Sequence, residues 1–379
     1  MPDHLLNSIQ DKILRSIAEK LVKGIPASEA DALHMLTTNN ILELGSIANH
    51  LRRNLHGDKA FYGVNMNLNY SNICEIRCPL CAFSCDAGDE KAYAMSLEEI
   101  EKKVGEAVSL GIDEVHIVGG LNTRLKIGYF EEMLRRIRAV RQDIFIVGFT
   151  ATEYDYFAKL NHMSVEEIFQ RFTDAGLGAL PGGGAEIFTP EVRNVIAPKK
   201  ISGKRWLEIM GIAHSMGLHT NATMLYNHIE KPQDIADHLS ELRSLQNETG
   251  GFKTFVPLSY HDANTGIAAR RGMTTGFEDI RIYAASRIFL HNIPHLKALW
   301  MYIGEKMAQV LLCFGVDDIG STYHYEKVVH SAGAKTPDYG SEPFLRDIIE
   351  NAGMQPVRVA SDYKERPQHD TLKPRRSDI

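Results

Sequence analysis

Four of the five cysteines of this chain fall in one short stretch, "NICEIRCPLCAFSC", at Cys74, Cys78, Cys81 and Cys85. Thiolates gathered this closely are ligands for iron–sulfur clusters or zinc, or are catalytic, rather than disulfide partners in a reducing compartment. The first three form C-x3-C-x2-C. Three thiolates wrapped around a cubane of four irons leave one iron without a protein ligand, and an open position is what separates a reactive metal centre from a structural one. Two other readings stay open. Zinc sites usually use two cysteine pairs parted by a longer loop, and here only one x2 pair is present. A ferredoxin-type cluster would need Cys85 as a fourth ligand, but bacterial ferredoxin runs begin C-x2-C, and Cys85 is expected to be a bystander. Cys313, in the apolar run "VLLCFG", is expected in the core.

Other chemistry-bearing residues recur at regular intervals. Gly119-Gly120 would let backbone approach a ligand closely, or simply make a turn. "LPGGGAEIF" strips side chains from one wall and follows them with Glu186, an acceptor for hydroxyls or an amine. It lacks the spacing and lysine of a phosphate loop. "FTATEYDYF" offers Glu153, as a ligand or as a structural hydrogen-bond acceptor. "TNATMLYNHIE" brings Asn221, Tyr226, His228 and Glu230 to one segment, each equally readable as a satisfied core group.

The elements that must position these residues read as repeated βα units. Strands are predicted at 64–70, 114–120, 144–150, 177–183, 218–226, 252–259 and 296–303, alternating with amphipathic stretches such as "SLEEIEKKVGEAVSLG". Ser96 with Glu99 makes a capping box there, and Gly111, Gly176 and Gly217 follow helix ends. The cysteines follow the first strand, Gly119-Gly120 the second, Glu153 the third, the glycine run the fourth, Tyr226 and His228 the fifth, and His261 the sixth. Chemistry beyond the carboxyl ends of many strands fits a complete or partial TIM-like βα barrel, whereas a doubly wound sheet would gather it at one switch point. Residues 1–60 read as a helical lead-in, 61–335 as the barrel, and 336–379 as a polar C-terminal extension, aperiodic and surface-draped from about Arg358.

Composition sets outer limits. With 379 residues, 44% hydrophobic and 24% charged, the chain can bury a large core. A net charge of -6 gives no general attraction to nucleic acid or anionic membrane, and only the tail "KPRRSDI" is locally basic. The N-terminus is interrupted by charges and no run reaches the roughly 18 apolar residues of a membrane span, so a cytoplasmic location is expected.

C-x3-C-x2-C after a first strand resembles the signature of radical S-adenosylmethionine enzymes. Together with "EVHIVGGL", "GFTATEYDYFAK", "LPGGGAEIF", "TNATMLYNHIE", "NETGGFKTFVPLSYHDANTG" and "NIPHLKALWMYIG", it makes residues 40–335 resemble the aminofutalosine synthase family, whose near relatives are dehypoxanthine futalosine cyclase and one component of deazaflavin synthase. The resemblance implies a 4Fe-4S cluster on Cys74, Cys78 and Cys81, with S-adenosylmethionine as a consumed cosubstrate near Gly119, Gly120, Glu153 and Glu186. It departs at Leu80, where an aromatic residue is usual; Phe83 would supply that surface near the adenine. It further implies attack of a 5′-deoxyadenosyl radical on the enol ether of 3-[(1-carboxyvinyl)oxy]benzoate, aryl migration and loss of the carboxylate carbon. The small-molecule substrate then carries two carboxylates, for which His116, Asn221, Tyr226, His228, His261 and Arg287 are candidates. Arg287 could instead be a solvated charge on a helix. An electron donor such as flavodoxin or ferredoxin is implied as a partner. An iron–sulfur electron carrier is the alternative of another class.

Overall fold

The computed structural model describes residues 1–367; the basic tail lies outside the described residues. Seven strands form one parallel sheet in strict chain order: β2 (Asn65–Leu68), β3 (Glu114–Ile117), β4 (Phe145–Gly148), β5 (Ala179–Leu180), β6 (His219–Tyr226), β7 (Phe252–Ser259) and β8 (His295–Leu296). Three more strands, β1 (Lys59–Gly63), β9 (Asp318–Ser321) and β10 (Gln355–Val359), form a second parallel sheet in the order β10-β1-β9. Sequential neighbours with helical crossovers give a curled partial barrel, and a doubly wound sheet with a switch point is excluded by that order. The segment containing β9 spans the open side. It receives Ala298 N–H at the Asp318 carbonyl (2.8 Å) beside β8, and Asn67 N–H at the His324 carbonyl (2.7 Å) beside β2.

The crossover helices form where caps and apolar stripes permit. Ser96, Thr150 and Ser164 each close a capping box with the acid three residues on, and the helices they start bury one side, as with Ile100, Val104 and Ala107. The helical lead-in is present as Asp3–Ser8, Lys12–Val22, Glu29–Thr37 and Ile41–His56. The last two pack on the outer helices Pro232–Thr249 and Gly276–Phe289.

Three expectations are corrected. The strand predicted at 64–70 is present as β2, but it is preceded by a strand the sequence pattern does not announce, β1, which joins the small sheet. The predicted strand 296–303 is a two-residue strand followed by a helical turn, Trp300–Ile303, stopped by Gly304 at φ +83°. Trp300 and Met301 are buried in that turn as they would be in a strand, so a short apolar run does not separate the two. The C-terminal stretch is also not a surface drape at Arg358. It contains a helix, Glu342–Glu350, and β10, which pairs in parallel along the whole of β1.

Arg358 is fully buried and bolts this strand to the amino end of β3. It donates to Asp113 (2.6 Å), to Glu342 (3.0 Å) and to the carbonyl of Gly111 (2.6 Å). The strand reads as polar because its polarity is satisfied by partners far away in sequence. Cys313, expected in the core, is exposed on a 3-10 turn whose inward contacts are made by Leu311 and Leu312. Replacing Arg358 with Met strands two carboxylates, and a loss of about 3–5 kcal/mol is expected from the urea midpoint. Arg53→Ala, which breaks the exposed pair with Asp58, is expected to cost under about 1 kcal/mol.

Candidate active site

The barrel encloses a cavity of about 370 Å³, lined mainly by apolar groups, that runs from the carboxyl ends of the strands toward their amino ends. Cys74, Cys78 and Cys81 line its upper part on the loop leaving β2. That loop is fastened by backbone pairing. Cys85 N–H donates to the Asn72 carbonyl (2.9 Å) and Cys74 N–H to the Cys85 carbonyl (3.1 Å), while Asn72 bonds Lys91 and Tyr93 with its side chain. Cys85 is fully buried and is not among the residues lining the cavity, so the loop turns three thiols toward the chamber and packs the fourth away. The outer edge of the loop is held by Leu80 N–H on the Ile196 carbonyl (3.2 Å) and by Gly266 N–H on the Pro79 carbonyl (2.7 Å).

The three thiols suit a multi-iron cluster better than one ion. A tetrahedral zinc draws its sulfurs to within about 4 Å of one another. Among the described residues, the group whose ligand atoms all lie within 4.8 Å is instead His56, His295 and Asp317, at the other end of the barrel. That group is already satisfied: His295 Nδ1 lies 2.7 Å from Asp317, and Arg287 forms an ion pair with the same carboxylate. Arg287 is therefore neither in the chamber nor on the surface. It is a buried structural cation that also donates to the carbonyls of Gly315 (2.9 Å) and Pro294 (3.1 Å).

Close packing explains the glycines. A Cβ at Gly120 would stand 2.2 Å from the Ile73 carbonyl oxygen, and one at Gly119 2.6 Å from the ring of Tyr70. The turn is laced to the cysteine loop by Gly120 N–H on the Ser71 carbonyl (2.8 Å) and Glu75 N–H on the Leu121 carbonyl (3.1 Å). Gly182 leaves room for the backbone of β6, and Gly184 adopts φ +85° against Thr152. Glu186, also at positive φ, forms a buried ion pair with Lys200; burial alone would raise its pKa, and the ammonium pulls it down instead. Lys200, half-buried, stands near Cys78 as well, and Glu186 and Cys78 push its pKa up against the effect of burial.

The other candidates separate. Phe83, His116, Asn221 and His261 line the chamber. Burial holds His116 down to about 4, so its ring is neutral. His261 Nε2 lies 2.8 Å from the Tyr302 carbonyl. Glu153 lines the wall, but both its oxygens are occupied by Thr150, Tyr70 and the Gly119 N–H; burial pushes it up to about 7 while those donors pull down. Tyr226 points away and donates to Asp279 (2.7 Å). His228 turns into its own loop, where Nε2 meets the Leu225 carbonyl (3.0 Å) and Nδ1 takes Ile229 N–H (2.8 Å). Neither lines the chamber. Sequence reasoning missed Lys200 and Lys297, the lysines that do. A lysine just after a buried strand, as in "HLKAL", is the signal that was available.

Comparison with known proteins agrees with this geometry. Residues 68–242 match the radical SAM superfamily, and residues 249–372 match the CofH/MqnC C-terminal region. The chain is 36% identical over 363 residues to aminodeoxyfutalosine synthase of Thermus thermophilus, covering 95% of this chain and 98% of the relative. It is 37% identical over 321 residues to 5-amino-6-(D-ribitylamino)uracil–L-tyrosine 4-hydroxyphenyl transferase of Methanopyrus kandleri, covering 84% and 87%. Among solved structures, methylornithine synthase superposes with a TM-score of 0.70 at 14% identity, covering 90% of this chain and 97% of that one. The FeFe-hydrogenase maturase HydG of Carboxydothermus hydrogenoformans gives 0.70 at 17%, covering 96% and 84%. These two share the fold.

Alanine at Cys74, Cys78 or Cys81 is expected to abolish the iron–sulfur charge-transfer absorbance of the reconstituted protein. Cys85→Ala is expected to retain about four irons per chain, with iron and sulfide assays as the measure. An open partial barrel presenting three thiols at its mouth, and extended identity to named relatives, lead to one conclusion: this chain belongs to the radical SAM superfamily, an enzyme family that works with a 4Fe-4S cluster and S-adenosylmethionine.

Proposed function

We propose that the protein is an aminodeoxyfutalosine synthase, transferring the 5′-deoxyadenosyl group to 3-[(1-carboxyvinyl)oxy]benzoate to form 6-amino-6-deoxyfutalosine for menaquinone biosynthesis. The observation that carries this reading is the 36% identity to the Thermus thermophilus enzyme across nearly the full length of both chains. The bound cluster would supply one electron to cleave the sulfonium and so generate the deoxyadenosyl radical.

Each part of the chamber has a task in this reading. Cys74, Cys78 and Cys81 hold the cluster. Gly119-Gly120 and the Glu186–Lys200 pair face S-adenosylmethionine. Val118, Leu225, Val256, Leu258 and Met301 give apolar walls that suit an aromatic ring and keep water from a radical. Toward the amino ends of the strands, Lys297 stands 3.2 Å from Asp318 with donors to spare, near His116, and Asn221 also lines the chamber. These three, with His261, would hold the substrate carboxylates. A low-potential donor such as flavodoxin or ferredoxin would reduce the cluster, and the cytoplasm is the proposed setting. Among the described residues, no helix is long and apolar enough to cross a membrane.

The similar identity to the hydroxyphenyl transferase supports a second reading, transfer of a tyrosine-derived group to a diaminouracil. Dehypoxanthine futalosine cyclase chemistry is a third, supported by the match to the CofH/MqnC region. Feeding each substrate set to the reduced, anaerobic enzyme separates them. Adenosyl carbon incorporated into product from the enol ether is expected; free 5′-deoxyadenosine, formed only with dehypoxanthine futalosine or with tyrosine and the diaminouracil, would overturn the first reading. Lys297→Gln, which keeps a donor for Asp318 but loses the charge, is expected to raise the KM for the dicarboxylate by about tenfold, with the KM for S-adenosylmethionine unmoved.

A further inference from the structure

Glu153 is 2% exposed, and each of its oxygens receives two donors. Oε2 takes the backbone N–H (2.7 Å) and hydroxyl (2.8 Å) of Thr150, which closes the capping box of the helix Ala151–Asn161. Oε1 takes the hydroxyl of Tyr70 (2.8 Å) and the N–H of Gly119 (3.2 Å). The first pair is what a helix start requires. The second pair serves no helix: it joins the segment that leads to the cysteines, the turn after β3 and the end of β4 at one carboxylate.

Tyr70 is fully buried, and its ring packs edge-on to Phe130 and Phe149 at centroid distances of 5.2 and 6.1 Å. A phenylalanine would fill that space, and a hydroxyl placed there costs free energy unless it is bonded. Here it is bonded to Glu153 and stands 3.4 Å from the carbonyl of Gly120. The same ring blocks any side chain at Gly119. The Gly119 peptide thus has its N–H fixed by Glu153, one side fixed by the Tyr70 ring, and its successor fixed on the Ser71 carbonyl. Gly119 and Gly120 themselves line the chamber, so this fixing sets the surface that the turn presents to it.

We propose that Tyr70 and Glu153 form a positioning pair that sets the Gly119-Gly120 turn for S-adenosylmethionine. Both act through the turn and not by touching the ligand: Tyr70 does not line the chamber, and the oxygens of Glu153 are fully occupied. The inference rests on the proposed placement of S-adenosylmethionine against this turn and holds whichever second substrate is used.

The test is equilibrium dialysis of labelled S-adenosylmethionine against the reconstituted holoenzyme. Tyr70→Phe is expected to weaken binding by about tenfold, the scale of one net hydrogen bond, with iron content, melting temperature and kcat at saturating S-adenosylmethionine close to wild type. Glu153→Gln, which turns one acceptor oxygen into a donor, is expected to weaken it further. Phe130→Leu serves as the packing control beside the same ring; it should lower the melting temperature and leave binding unchanged. In the protein without cofactors, hydrogen exchange of the peptide spanning 117–122 should quicken in Tyr70→Phe and not in Phe130→Leu. Wild-type binding and exchange in Tyr70→Phe, or wild-type binding in a folded Glu153→Gln, would overturn the proposal, as would equal weakening by Phe130→Leu.

Discussion

The contact on which the site depends is between two pieces of backbone. Gly120 lies so close to the Ile73 carbonyl that no side chain fits between them, and the hydrogen bonds on either side convert two loops into a single unit. One loop bears the thiols and the other bears the Gly119-Gly120 turn, and both line the chamber. Their relative placement is therefore set by main-chain geometry, which deforms far less than side-chain rotamers do. A metal-bound reagent that must be cleaved in one orientation needs that stiffness, because small displacements of a reacting centre are costly.

Charge is distributed along the barrel according to what it does. At the amino ends of the strands lie Arg358 with Asp113 and Glu342, and Arg287 with Asp317, buried pairs in which every partner is spoken for. Removing either arginine would leave uncompensated carboxylates, so these groups hold the fold together. At the carboxyl ends, buried Glu186 pairs with half-buried Lys200, but these two line the chamber and sit next to a cysteine. The same type of interaction thus serves stability at one end and the reaction space at the other, as expected for a βα barrel.

Much of this was legible in the sequence. The cysteine spacing, the glycine runs and the alternation of apolar runs with capped helices identified the barrel and its mouth, because each is a local pattern with a local physical cause. Individual polar residues were less readable. Tyr226, His228 and Arg287 stand in or near the right segments, yet a rotation of one side chain decides whether such a group enters the chamber or bonds the scaffold, and the deciding partners, Asp279, the Leu225 carbonyl and Asp317, follow no spacing rule. Lys297 is hard to read for the converse reason: it is the one charged residue of the apolar run "LKALWMYI", and its partner Asp318 lies on another strand. The C-terminal strand was hidden because its polar residues are paired with residues from the first third of the chain.

That last strand has a consequence for folding. β10 closes against β1, the earliest strand to be made, and residues just beyond it reach the chamber floor through Ser361, whose N–H bonds Glu114. Pairings this distant in sequence carry a loop-closure cost that the contacts they make must offset. Until residues 355–361 are in place, β1 lacks one of its two partners and the chamber lacks part of its floor.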